Sequence, residues 1–233
     1  MPLDYPHQFG DITVEIVVTS PPWYENCYII RHLPSGDRVI IDPGGDHERI
    51  LARITAETTK TASPPENSGL KSIREIWLTH GHPDHIGAVR AIQSTLPGLP
   101  CRHHTDEGPL LAQARQFGAM LMMQKPLQTP ENLVSFSGEK VELSLGGVTI
   151  RAFHTPGHTP GGVCFLFDGF VITGDTLFNQ GVGRTDFPGG SEIQLFDSIT
   201  RLIAQLPDPT IIFSGHGPHW SIGEARRWWQ WMK

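Results

Sequence analysis

The chain has 233 residues, 38% of them hydrophobic, and a formal net charge of −6 at pH 7. This length allows one large domain with a substantial core, so we expect residues 1–233 to form a single domain. The net charge is negative and the chain has no Lys/Arg clusters, which argues against a nucleic-acid partner. No apolar run approaches roughly 18 residues, so we expect no membrane span.

The first third of the chain predicts a β-meander followed by a helix. Apolar and β-branched residues at 12–18, 26–31 and 38–41 predict three strands. Apolar residues at 50, 51 and 54 have the spacing of a helix within residues 46–57. The next stretch, 58–70, is rich in Thr, Ser and Pro, so we expect an exposed loop there.

The segment 79–85, which reads Thr-His-Gly-His-Pro-Asp-His, has the composition of a metal site. His80 and His82 stand two residues apart on a turn and can both contact one ion. Asp84 and His85 follow at the start of a predicted helix and can contact a second ion. One ion takes about four ligands, so both ligand sets need donors from elsewhere in the chain.

Three further candidate ligands stand beside glycines where predicted strands end. They are His158 after the run 148–153, Asp175 at the end of the run 170–175, and His216 after the run 211–213. Taken singly, a histidine after a strand is more often a hydrogen-bonded or surface residue than a ligand. Beside the histidine cluster, however, these positions complete a two-metal site, in which a carboxylate can bridge the ions.

The rest of the pattern predicts further regular elements. Helices are expected at 85–96, 192–206 and 221–233, and strands at 139–143, 148–153 and 163–167. Residues 110–126 are either a lid over the site or a helix packed on the fold, and the Leu- and Met-rich pattern favours packing.

Seven segments that match one family occur in order along nearly the whole chain. They are Asn-Cys-Tyr-Ile-Ile at 26–30, Ile-Asp-Pro-Gly-Gly at 41–45, the cluster at 79–85, and the segments 155–162, 173–178, 181–187 and 215–217. On these segments the chain resembles the metallo-β-lactamase-fold metallohydrolases, and within them the glyoxalase II-like (hydroxyacylglutathione hydrolase-like) branch. The resemblance implies a four-layer αββα sandwich, an α+β fold with the metal site at the rim between its two sheets.

The resemblance also implies a ligand set and an activity. The first metal would be held by His80, His82 and His158, the second by Asp84, His85 and His216, with Asp175 bridging. The expected cofactors are two divalent ions, zinc before iron or manganese. The implied reaction is hydrolysis of a thioester or related acyl compound by a hydroxide that bridges the ions, with Asp84 as the catalytic group that orients this hydroxide.

Three more residues are candidates around this centre. Arg184 can bind a substrate carboxylate through its guanidinium fork, although pairing with Asp186 explains it equally well. Asp42 either supports a ligating imidazole or is a turn residue before Pro-Gly, and His219 is a candidate to support a ligand. The cationic carboxyl-terminal region that holds glutathione in glyoxalase II is largely missing, so weak binding of glutathione thioesters is expected.

Two alternative activities remain open at this stage. A persulfide dioxygenase of the same fold would hold a single iron on His80, His158 and Asp175, and a lactone hydrolase would use the dinuclear centre. A non-catalytic binding module is disfavoured because no ligand position has been lost.

Cysteine usage and the amino terminus bear on location and partners. Cys27, Cys101 and Cys164 are scattered and form no CxxC pair, which predicts reduced, mostly buried thiols. The amino terminus lacks the basic and then apolar pattern of a signal peptide, so we expect a cytoplasmic protein. The expected partner is a small-molecule substrate, and a homodimer is left open.

Overall fold

In the computed structural model, which describes residues 6–58, 68–120 and 126–232, the strands form two large sheets and a short ribbon. The first sheet has seven strands in sequential order: β1 (His7–Phe9), β2 (Ile12–Thr19), β3 (Glu25–His32), β4 (Arg38–Ile41), β5 (Ile73–Trp77), β6 (Cys101–His104) and β7 (Leu133–Phe136). Its first four strands are antiparallel neighbours, whereas β4 to β7 are parallel. The predicted β-meander is therefore confirmed.

The second sheet comes from the later part of the chain. Its strands are β8 (Lys140–Leu145), β9 (Val148–His154), β10 (Val163–Phe167), β11 (Phe170–Gly174), β14 (Ile211–Ser214) and β15 (Trp220–Ser221), in the spatial order β15-β14-β11-β10-β9-β8. Strands β12 (Leu177–Phe178) and β13 (Gly181–Val182) pair as a separate ribbon beyond β11. Among the described strands of this sheet, β11 and β14 are parallel neighbours and the other pairs are antiparallel.

Seven α-helices lie between or after these strands. Their bounds are α1 (His47–Thr58), α2 (Pro83–Ile86), α3 (Val89–Thr95), α4 (Gly108–Ala112), α5 (Ala114–Met120), α6 (Glu192–Gln205) and α7 (Ile222–Met232) within the described ranges. Helices α6 and α7 confirm the predictions at 192–206 and 221–233. Residues 59–67 of the predicted exposed loop lie outside the described part of the chain, and a short 3-10 helix, Gly69–Ser72, follows them.

The central strands β4 and β11 are buried on both faces. Because side chains alternate between the two faces of a strand, neighbouring residues pack into different layers. In β4, Ile40 packs with the residues of α1 and α3, whereas Val39 and Ile41 face the second sheet. In β11, Val171 packs against α6 and α7, whereas Phe170 faces the first sheet. Apolar contacts thus hold four layers together in the order αββα, as the family resemblance implied.

The prediction of a single helix at 85–96 is wrong, because the structure has two helices, α2 and α3, separated by Gly87 and Ala88. The Ala88 N–H donates to the Pro43 carbonyl at 2.9 Å. A Cβ on Gly87 would lie 2.3 Å from the Gly44 carbonyl oxygen, so only glycine permits this close approach. The contact with the loop after β4 interrupts the helix and fixes the segment that carries Asp84 and His85.

Strand ends of both sheets meet at one rim of the sandwich. Parallel neighbours end at the same edge, so the loops after β4 and β5 lie together, as do those after β11 and β14. Backbone hydrogen bonds join the two sheets here: the Val163 N–H donates to Thr79 O at 2.9 Å, and the Asn26 N–H donates to Gly215 O at 2.8 Å. This rim carries the predicted ligands.

Candidate metal centre

The first predicted ligand set converges on one point. His80 and His82 follow β5, and His158 lies in the loop after β9. The His80 Nε2 atom is 3.1 Å from His82 Nδ1 and 3.3 Å from His158 Nε2. Tetrahedral ligands placed 2.0–2.1 Å from an ion stand about 3.3–3.4 Å apart, so the three ring nitrogens have the spacing of a shared coordination sphere.

The second predicted set lies directly beside the first. His216 Nε2 is 3.3 Å from Asp84 Oδ2, and His85 Nε2 is 3.9 Å from the same oxygen. Asp175 lies between the two sets, because its Oδ1 is 3.3 Å from His85 Nε2 and its Oδ2 is 3.5 Å from His158 Nε2. The structure therefore brings together all seven residues predicted as ligands.

Two buried polar atoms show that the donors fit a metal ion. His85 Nε2 and Asp175 Oδ1 are both buried, and neither makes a hydrogen bond to any described group. They lie 3.3 Å apart without the alignment of a hydrogen bond. Unpaired buried polar groups are costly, and an ion between them would satisfy both, since neutral imidazole and carboxylate are metal ligands.

The electrostatics of the two sets differ. Burial lowers the pKa of His82 to about 3, and burial followed by the neighbouring imidazoles lowers the pKa of His80 well below its usual range. Burial also lowers the pKa of His158. These rings are neutral at pH 7 and keep a lone pair free for an ion.

The second set instead attracts positive charge. Burial alone would lower the pKa of His85, but Asp175 and Asp84 raise it well above its usual value. Burial alone would likewise raise the pKa of Asp175, but His85 and the other imidazoles hold it far below. Two largely buried carboxylates at this position thus favour positive charge beside them, and a divalent cation can supply that charge in place of protons.

Groups behind the ligands fix their orientation. The Thr79 N–H donates to Asp42 Oδ1 at 2.7 Å, and His85 Nδ1 lies 3.0 Å from Asp42 Oδ2. This contact gives Asp42 the supporting geometry that the sequence left open. His158 Nδ1 lies 2.7 Å from Arg184 O, so in both rings the supported nitrogen is Nδ1 and Nε2 faces the centre.

His219, the other predicted supporting residue, lies elsewhere. Its ring packs against His7 at 5.0 Å and Phe213 at 5.6 Å between centroids, and none of its described ring contacts is with a candidate ligand. His219 stands three positions after His216, and β14 ends before both residues. Proximity in sequence was therefore a poor guide, and His219 is an aromatic packing residue here.

Sequence reasoning missed Glu107, which contacts both ligand-bearing loops. Its side chain is 1% exposed, and it accepts hydrogen bonds from the Gly81 and Gly161 N–H groups. The residue follows β6, a strand that was not predicted because Cys-Arg-His-His lacks an apolar pattern. The two glycines whose N–H groups it accepts, Gly81 and Gly161, were the only signal in the sequence that could have pointed to it.

A cleft of about 360 Å³ opens onto the centre. Its polar floor contains His82, Asp84, His158, Asp175 and His216, and its walls are Trp23, Phe178, Val182, Arg184 and Phe187. Arg184, the predicted substrate-binding residue, is at the mouth with its side chain 56% exposed. It makes two hydrogen bonds of 2.6 Å to Asp186, and its guanidinium lies 3.8 Å from the Phe187 ring centroid.

The segment 110–126, predicted as a lid or a packing helix, packs on the core and also contacts the centre in its described part. Leu111 in α4 and Ala114 in α5 are fully buried in the core under the first sheet. Phe117 in α5 contacts the rings of His82 at 5.2 Å and Phe187 at 5.1 Å between centroids. Residues 121–125 lie outside the described part. Within the described part, α4 and α5 pack on the core, as the sequence favoured, and they also flank the centre.

No helix in the described ranges is long and apolar enough to cross a membrane. Cys27, Cys101 and Cys164 are buried and unpaired, as the sequence predicted.

Comparisons with known proteins agree with this geometry. The family model described as Metallo-beta-lactamase superfamily matches residues 20–216, a range that contains every candidate ligand. The chain is 32% identical over 223 residues to Hydroxyacylglutathione hydrolase GloC of Haemophilus influenzae, which covers 93% of this chain and 96% of that protein. It is also 33% identical to the solved BLEG-1 B3 metallo-beta-lactamase, with a TM-score of 0.77 over 92% of this chain and 96% of that one. The structure of TTHA1623 in a di-iron-bound form has a TM-score of 0.73 and 33% identity, covering 91% and 96%.

Proposed function

Because the chain belongs to the metallo-β-lactamase superfamily and is a hydrolase of that superfamily, we propose that it hydrolyses a thioester or related acyl compound with two divalent metal ions. The observation that carries this proposal is the position of Asp175. Its two carboxylate oxygens face His85 and His158, one from each ligand set. A carboxylate in that position favours two adjacent ions over one.

The nucleophile in this proposal is water. Among the described residues that line the cleft there is no Ser, Cys or Lys that could attack a carbonyl, and the three cysteines are buried elsewhere. When bound, divalent ions supply Lewis acidity, which lowers the pKa of water towards about 7 and polarises a carbonyl oxygen. Zinc is the favoured metal, and iron is a second candidate because a similar protein was solved in a di-iron form.

Asp84 is the residue placed to orient the attacking water. Its carboxylate lines the cleft. Burial alone would raise the pKa of Asp84, but His85 and a hydrogen bond from His216 hold it below its usual value. Asp84 is therefore ionised at neutral pH, and an ionised carboxylate accepts a hydrogen bond from water and directs the oxygen lone pair towards the substrate carbonyl.

The relatives support an acyl substrate. The protein named hydroxyacylglutathione hydrolase is matched over 96% of its length. A relative of nearly the same extent thus bears the name of a glutathione-thioester hydrolase, so the short carboxyl-terminal region of this chain does not argue against such substrates. Glutathione thioesters therefore belong in the assay panel, beside simple acyl thioesters and lactones.

Metal content and the Asp84→Ala variant test the proposal together. The wild type should bind about two ions per chain, and Asp84→Ala about one. Turnover of the best thioester should fall about 10²- to 10⁴-fold in Asp84→Ala, the usual contribution of a proton-accepting group. Asp168→Ala, which removes an exposed carboxylate from the turn between β10 and β11, is the control and should match the wild type.

Two results would contradict the proposal. One is a wild type that holds a single ion at full loading, and the other is Asp84→Ala with unchanged thioester turnover. Oxygen uptake with glutathione persulfide that survives in Asp84→Ala would favour the iron dioxygenase alternative.

A further inference from the structure

The side chain of Glu107 joins the two loops that carry the first ligand set. The Gly81 N–H donates to Glu107 Oε2 at 2.7 Å, and the Gly161 N–H donates to Glu107 Oε1 at 2.7 Å. One carboxylate thus connects the loop after β5 with the loop after β9, and each of its oxygens serves one loop.

Both hydrogen-bonded glycines are close in sequence to ligands. Gly81 lies between His80 and His82, and Gly161 is three residues after His158. A shift of either N–H relative to Glu107 therefore changes the spacing of the three imidazoles. A first-row metal ion tolerates little change in that spacing, because its bonds to nitrogen are about 2.0–2.1 Å long.

The two glycines allow the loops to approach this carboxylate. A Cβ on Gly81 would lie 3.0 Å from Glu107 Oε2, and a Cβ on Gly161 would lie 2.5 Å from the Glu107 backbone nitrogen. Burying a carboxylate is costly unless it is well hydrogen-bonded, and hydrogen bonds from N–H groups to an ionised acceptor are among the strong ones. Sequence and geometry therefore both favour a dedicated contact at this point.

The turn that carries Glu107 is itself anchored to β9. His104 precedes the 3-10 helix Thr105–Glu107 and accepts a hydrogen bond from the Asp106 N–H at 3.3 Å. Its ring stacks on that of His154, the last residue of β9, with centroids 4.0 Å apart and planes inclined by 14°. Glu107 is thus held in place by the strand that leads into the His158 loop.

We propose that Glu107 is a positioning residue that prepares the His80, His82 and His158 set for its metal ion by holding the two loops at a fixed spacing. The proposal rests on the two-ion centre proposed above. Glu107 is not itself a ligand, since its two oxygens are engaged by backbone N–H groups and it does not line the cleft.

The isosteric variant Glu107→Gln tests the proposal. Glutamine keeps one acceptor oxygen but presents an NH₂ group to the other loop, where it meets an N–H donor and no acceptor. The affinity of one of the two ions should fall about 10- to 100-fold, the usual effect of removing a group that orients ligands. The affinity of the other ion should change by no more than about twofold. Competition with a chromophoric chelator measures both affinities, and the cobalt(II) visible spectrum reports the geometry of the first set.

Glu75→Gln is the matched control. Glu75 is a partly buried carboxylate in the same sheet that accepts hydrogen bonds from Trp77 Nε1 and Arg102, away from the ligand loops. This variant should lower the melting temperature without changing either metal affinity. A loss of affinity equal to that of Glu107→Gln would mean that Glu107 acts only through general stability, and would overturn the proposal.

Combining Glu107→Gln with Asp84→Ala identifies which of the two ions is affected. In Asp84→Ala the remaining ion is that of the first set, and adding Glu107→Gln should lower its affinity by the same factor. Wild-type affinity in this double variant would overturn the proposal. Because no readout here depends on turnover, a protein that hydrolyses no thioester but shows the affinity loss would refute the proposed function and retain the role of Glu107.

Discussion

Asp42→Asn is a sensitive test of how the second ligand set is supported. Asp42 is 1% exposed and lies behind His85, which is fully buried. Its Oδ1 accepts the Thr79 N–H at 2.7 Å, and its Oδ2 lies 3.0 Å from His85 Nδ1 and also contacts Thr79 Oγ1. Asparagine also tolerates the left-handed backbone at this position, where φ is +50°, so the change is confined to the side chain.

The substitution should reverse the His85 tautomer. Asparagine keeps one oxygen for the Thr79 N–H, but its NH₂ group then faces His85 Nδ1 and can only donate to it. His85 would carry its proton on Nε2, the atom that faces Asp175, and would lose the lone pair that binds an ion. Loss of such a supporting group lowers metal affinity about 10- to 100-fold, which corresponds to about 1.4–2.8 kcal/mol.

Chelator competition with the wild type, Asp42→Asn and the exposed control Asp168→Asn measures this effect. The affinity of the second ion should fall by the stated factor in Asp42→Asn only, while the first ion, held by His80, His82 and His158, stays within about twofold of the wild type. An unchanged second affinity, or a loss confined to the first ion, would refute the reasoning. Together with Glu107→Gln, which targets the first ion, the two variants should produce opposite patterns.

Two further predictions concern the ribbon and the cleft mouth. In Gly183→Ala the new Cβ would lie 2.0 Å from the Asp175 carbonyl oxygen and 2.8 Å from His158 Nδ1, so the free energy of unfolding should fall by about 1–3 kcal/mol. Denaturant unfolding of the metal-loaded protein measures this change. The control is Gly181→Ala, whose new Cβ would have its nearest contact at 3.7 Å and whose free energy of unfolding should remain near that of the wild type. Equal free energies of unfolding for the two variants would contradict the close packing at Gly183. Arg184→Ala should raise KM for an anionic thioester relative to a neutral one by no more than about fivefold, because Asp186 already occupies the exposed guanidinium. A much larger selective effect in steady-state kinetics would show that the substrate displaces Asp186.

Much of the fold and of the ligand set could be predicted because the responsible signals are local. Apolar strands such as β3 and β11 are short runs bounded by turn residues, and each predicted ligand stands within eight residues after the end of a strand. The edge at which parallel strands end then decides which of these residues meet. The ligand spacing within 79–85 was readable for the same reason, since two imidazoles and a carboxylate are separated by single residues.

What could not be predicted depends on contacts between distant parts of the chain. The interruption between α2 and α3 comes from the loop after β4, through the bond from Ala88 to Pro43 and the contact of Gly87 with Gly44. Helical spacing continues across that interruption, so sequence periodicity alone favours one helix. Tertiary hydrogen bonding overrides local helix preference here, and it does so where the chain must present Asp84 and His85 at a fixed angle.

Glu107 shows the same limit at the centre itself. Its partners are two backbone N–H groups that are 26 and 54 positions away in the sequence. Because nearly every residue type has a backbone N–H, such a donor cannot be recognised from the sequence. The only local sign was a pair of glycines, Gly81 and Gly161, each of which also has an ordinary interpretation as a turn residue. Ligands are recognisable because the metal selects their side chains, whereas a group that positions a loop is selected by the backbone it holds. A residue that positions loops, such as Glu107, can therefore be identified only from a structure in which the two loops lie together.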